Sequence, residues 1–156
     1  MKRLKKISTA SVPAALKMAE RYRLLNDPGE ALSICLDILE VDPKNHDAQI
    51  SLILSLSDQL SERMSAFEEA QVLVDGLKKK YERNYYSGVL CERRARAHFR
   101  SDSMSSGHVA YDWFQQALDF FDKAGLIGEE TREKIEKAKG KMVVLALKEG
   151  MKELVG

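Results

Sequence analysis

An alanine recurs in the same setting three times along the chain, and this recurrence restricts the fold more than any other feature. Pro28-Gly29-Glu30-Ala31-Leu32 is followed by Cys35 and Ile38, Phe67-Glu68-Glu69-Ala70-Gln71 by Val74 and Leu77, and Phe114-Gln115-Gln116-Ala117-Leu118 by Phe121 and Ala124. Each segment sets a small residue early in a helix, with apolar residues four and seven positions later on the same helical face. Small residues let two helices approach closely, and larger ones fill the groove beside them. The pattern predicts an all-α chain of repeated helix pairs. The supply of turn-formers agrees, because 9 Gly and 3 Pro in 156 residues are too few for a many-stranded sandwich that turns every ~8–12 residues.

Local signals divide the chain further. Ala15, Met18, Ala19, Tyr22 and Leu25 share one face of a first helix ending near Asn26. Asp27-Pro28-Gly29-Glu30 restarts a second, in which Asp27 caps a backbone N–H, Pro28 suits the first turn and Glu30 completes a reciprocal cap. Asp42-Pro43 closes it, since the residue before proline is pushed out of helical space. Asn45 caps a third helix carrying Leu52, Ile53, Leu56 and Leu60. Ser65 and Glu68 repeat the capping spacing before a fourth, whose face runs Phe67, Ala70, Val74, Leu77 and Tyr81, with Lys78, Lys79 and Lys80 offsetting the dipole of its last turns. A fifth helix is expected over 85–99 and a sixth over 109–124, separated by the Ser-rich loop 101–107. A last helix over 129–154 carries Ile135, Ala138, Met142 and Leu145, and residues 1–11 read as a basic, disordered arm.

The segment 12–45 resembles a tetratricopeptide repeat. The matching residues are Ala19 and Tyr22 in its first helix, Ala31 in its second and Pro43 at its end. The later units, 46–84 and 85–124, are looser, with Ala31, Ala70 and Ala117 spaced wider than the family's usual ~34 residues. The resemblance implies a right-handed stack of three antiparallel helical hairpins, with the last helix as a C-terminal solvating cap. It also implies a concave groove lined by the first helices that holds a peptide or a partner helix. Mapping the outward face of those helices gives Leu16, Glu20 and Arg23, then Asp47, Ile50 and Leu54, then Val89, Arg93 and Arg96. Such a lining suits a peptide with apolar anchors and an acidic group. Of the polar positions that clamp a chaperone's terminal carboxylate in some members, Leu16, Glu20 and Ser51 do not fit and only Arg93 does.

Other chemistries find little support. Lys plus Arg number 25 against 24 Asp plus Glu, a balance that disfavours bulk attraction to nucleic acid or anionic membrane. Arg93, Arg94, Arg96 and Arg100 make a basic patch, read as pairing with carboxylates such as Glu68 or Glu69 in preference to a nucleic-acid backbone. His46, His98 and His108 show no metal-ligand spacing, and phosphate-loop, dinucleotide and nucleophile-elbow motifs are absent from the sequence, so no metal, cofactor or catalysis is expected. Cys35 and Cys91 sit on apolar stripes as inert thiols. Trp113, Phe114, Phe120 and Phe121 are expected to be covered by the last helix. The unpaired cysteines, a broken apolar run after Lys6 and a longest apolar run of six residues, 142–147, predict a cytoplasmic protein without a membrane span, monomeric or homodimeric. The sum is a protein-binding adaptor, with a small secretion- or assembly-type chaperone as the alternative and a ligand-sensing helical domain behind it.

Overall fold

The computed structural model describes residues 7–101 and 106–125, together with the single positions 133, 136, 137 and 140. Among these residues every regular element is helical: a 3-10 turn Thr9–Ser11, then α1 Val12–Leu24, α2 Pro28–Val41, α3 His46–Asp58, α4 Ala66–Asp75, α5 Lys80–Arg100 and α6 Ser106–Lys123. The predicted capping helix over 129–154 lies outside the described residues apart from those four positions.

The boundaries of α1–α3 follow from side-chain chemistry. Asn26 adopts φ 60°, and the N–H groups of Asp27 and Asn26 bond to the carbonyls of Tyr22 (2.8 Å) and Arg23 (3.0 Å), so a left-handed residue closes α1. Asp27 Oδ1 accepts from the Glu30 N–H at 3.3 Å and Pro28 opens α2. Asn45 Oδ1 accepts from the Ala48 N–H at 2.9 Å at the start of α3.

Consecutive helices pack against one another, and α3 additionally touches both α1 and α5. Ala31, Ala70 and Ala117 are fully buried, as are Ala19, Ala48, Ala95 and Ala110. A main core joins Ala19, Cys35, Ile53, Leu60, Val74 and Leu90, drawn from α1 to α5. Large aliphatic residues sealed there each contribute roughly 1.5–3 kcal/mol. A second cluster seals α5 to α6 through Cys91, Ala95, Phe114 and Phe121. Here Gly88 supplies the close approach: a Cβ on it would lie 2.6 Å from Phe121 Cε1.

Four local expectations are corrected. Helix α4 stops at Asp75 with Gly76 as its cap, so Tyr81 belongs to α5 and the lysine run lies in the link and at the start of α5. Lys80 therefore meets the positive end of a helix dipole and offsets nothing; Arg83 Nη1 holds the link by donating to the carbonyls of Leu77 (2.6 Å) and Lys78 (2.9 Å). Consequently α5 begins inside the segment 46–84. Ser65 makes no capping bond, because its own backbone is already helical and its hydroxyl instead accepts from Arg63 at 3.4 Å. The end of the N-terminal arm is ordered, since Ile7 packs against Val12, Ile38 and Ala48 and leads into the 3-10 turn; residues 1–6 are outside the description. No helix among the described residues is long and apolar enough to cross a membrane.

Candidate functional site

The C-terminal halves of α1 and α3 and one face of α5 enclose a groove of about 1030 Å³. Helical spacing explains which side chains reach it. On α5, Tyr85, Val89, Glu92, Arg93, Arg96 and Arg100 recur at three- and four-residue intervals and share a face. From α3 come Leu54, Ser57 and Asp58, and from α1 Glu20, Arg23 and Leu24.

Its electrostatics centre on Asp58, the last residue of α3. Arg23 Nε donates to Asp58 Oδ2 at 2.7 Å, and Arg93 Nη1 donates to Oδ1 at 2.6 Å. One carboxylate thus joins α1, α3 and α5. Further along α5, Arg96 Nε donates to Glu92 Oε1 at 3.0 Å, and Nη2 lies 2.9 Å from the same oxygen as an ion pair. Arg100 makes no ion pair among the described residues. Tyr85 contributes an apolar wall, packed at 5.8 Å from Phe121 and 4.9 Å from Tyr86.

Of the residues mapped from sequence, Glu20, Arg23, Leu54, Val89, Arg93 and Arg96 line this groove. The other three do not, because the groove follows the later turns of α1 and α3 and they lie on earlier ones. Leu16 packs onto the cluster of Val12, Ile38 and Ala48, Ile50 onto the main core, and Asp47 is exposed in the first turn of α3. Asp58, Tyr85 and Tyr86 were not in that set; the three- and four-residue spacing from Leu54 and Val89 is the signal that finds them.

The arginine patch is divided by the helix. Arg94 leaves the groove and stacks between Phe67 and Trp113, 4.4 and 4.2 Å from their ring centres, with Glu68 only at 4.0 Å. Glu69 pairs with Arg63 at 2.7 Å. Three aromatic residues of α6 face inward as well: Phe114 and Phe121 are buried against α5, and Trp113 meets Phe67 edge-on at 5.2 Å.

No group of three His, Cys, Asp or Glu side chains able to hold a metal ion occurs among the described residues. His46 pairs with Glu82 at 3.1 Å, away from His98 on the last turn of α5. Both cysteines are buried; burial pushes the Cys35 thiol up, against the opposing effect of Ser51 and Arg23, and pushes Cys91 up to about 11. Neither is a thiolate nucleophile at neutral pH. Compared with protein-family models, with curated proteins and with solved structures, the chain finds no match.

Proposed function

We propose that this chain is a helical-repeat adaptor of the tetratricopeptide type, holding a segment of a protein partner in the groove across α1, α3 and α5 and performing no chemistry on it. The observation that carries the reading is the composition of that groove: residues from three alternate helices, and none from α2 or α4, line it. Stacked hairpins produce such a surface, because their first helices neighbour one another while the second helices lie behind. The contacts of α3 with α1 and α5, and the sealed alanines at 31, 70 and 117, support the same arrangement. The mixed lining, with Leu54, Val89 and Tyr85 beside arginines, offers apolar pockets for anchoring side chains and donors for a polar group. Two buried, unpaired cysteines fit a reducing compartment.

Site-specific photocrosslinking tests the reading. A photoreactive residue at Val89, in the groove, is expected to capture a discrete protein partner, whereas the same residue at Val72, exposed on α4, is not. Equal capture from both positions, or from Val72 alone, overturns it.

A further inference from the structure

Three carboxylates line the groove, Glu20, Asp58 and Glu92; Glu92 is paired with Arg96, and Asp58 is the one that an acidic ligand meets at Arg93. Asp58 is 18% exposed and holds Arg93, which is 37% exposed, through a single hydrogen bond among the described residues. A guanidinium has five N–H donors, so most of Arg93's donors are available at the groove surface. Arg96 and Arg100 follow Arg93 on the same face of α5, with Arg100 lacking an ion pair among the described residues. Beside this row lie Leu54, Val89 and Tyr85. The arrangement is complementary to an acidic side chain next to an apolar one, and the site already holds a carboxylate of its own at the first arginine.

We propose that the occupant is a peptide segment carrying an acidic side chain beside an apolar anchor, and that Asp58 is the internal carboxylate with which it competes for Arg93. The inference rests on the groove being a peptide site and adds the chemistry of the peptide and a residue that weakens its binding. Asp58 keeps Arg93 paired while the groove is empty and opposes a second negative charge beside it, so only a segment that also uses Arg96, Arg100 and the apolar wall displaces it.

The test selects a random library of short linear peptides on the full chain and then measures the enriched peptides by fluorescence anisotropy. The expected peptides carry Asp or Glu next to an apolar residue and bind more weakly as salt rises. Arg100→Glu, at an exposed helix end, is expected to weaken binding roughly fivefold, and Asp58→Asn to tighten it several-fold. Should Asp58→Asn fail to fold, the wild-type carboxyl carbon resonance of Asp58 provides the readout: it shifts on saturation with peptide if the pair opens. An unchanged resonance, or weaker binding by a folded Asp58→Asn protein, overturns the competition. Enrichment of neutral or basic peptides whose binding is abolished by Val89→Arg overturns this inference and leaves the groove reading intact, while no enrichment removes both. Preference for a single-stranded oligouridylate over acidic peptides also overturns it.

Discussion

Arg23 and Arg93, on α1 and α5, bind the two oxygens of one carboxylate: Arg23 Nε lies 2.7 Å from Asp58 Oδ2 and Arg93 Nη1 lies 2.6 Å from Oδ1. These bonds tie α1, α3 and α5 together on the groove side, where side chains rather than backbone fix the spacing. Removing the shared acid leaves two partly buried cations without a counter-charge.

Asp58→Ala is therefore expected to lower stability by about 1–3 kcal/mol, above the ~0–1 of exposed pairs and below the ~3–5 of breaking a fully buried one. Urea unfolding at low and high salt checks this. The difference from wild type should narrow at high salt as the two arginines are screened from each other; a difference that is absent at low salt contradicts a structural role for the clasp.

At the α5–α6 contact, two opposing effects meet in Gly88→Ala. Alanine in a helix interior is worth ~1 kcal/mol over glycine, but its Cβ would lie 2.6 Å from the Phe121 ring, and overpacking costs ~1–3 kcal/mol. Phe121 is buried and has little room to retreat, so the net effect is destabilising. Thermal melts of Gly88→Ala with and without Phe121→Leu check it: the second substitution should return part of the loss.

The parts of this fold legible in the sequence are those specified by near neighbours. Asp27-Pro28, Asp42-Pro43 and Asn45 act within one turn of themselves, and they placed α2 and the start of α3 to the residue. The alanine pattern worked because burial repeats with the helix period. Helix α5 starts at Lys80, ahead of the expected 85, because Gly76 is a weak stop signal and the lysines that follow carry no periodicity. Gly88 has no local signal, because it matters for a ring on α6; spacing from Leu54 places Asp58 on the groove face, but its pairing with guanidinium groups on α1 and α5 is not written near it. The groove lining is legible to the extent that helical spacing projects a face, and Leu16, Asp47 and Ile50 lie outside it because spacing does not say which turns of a helix a neighbouring helix leaves open.

Asn26 holds the left-handed position that closes α1, at φ 60°. Glycine adopts this conformation without strain, asparagine tolerates it, and a β-branched residue suffers the full steric penalty of ~1–2 kcal/mol. Asn26→Gly should leave the melting temperature unchanged or slightly higher, and Asn26→Val should lower stability by about 1–2 kcal/mol. Calorimetry on both variants checks the order, which reverses if the turn does not depend on this backbone conformation.

In the native protein both thiols should resist alkylation. Cys35 and Cys91 are buried, and burial holds both above the usual thiol range, so iodoacetamide at neutral pH should label neither until urea unfolds the chain. Intact mass spectrometry along an unfolding curve gives the labelled fraction, and rapid labelling of the native chain contradicts the packing of α2 or α5.

Burial, and secondarily the charge of Arg94, holds the His98 imidazole below its ordinary value of 6.5. Its Nε2 is buried without a hydrogen-bond partner among the described residues. In the unfolded chain His98 takes up a proton as the pH falls through about 6.5, whereas the folded protein takes it up only at lower pH. Between the two values the unfolded state binds more protons, so stability falls as the pH is lowered and is retained above 6.5. Unfolding curves from about pH 7.5 to about 5.5, roughly one unit either side of that ordinary value, should show a decline that His98→Gln makes shallower. An identical pH dependence in the two proteins would place the proton uptake elsewhere.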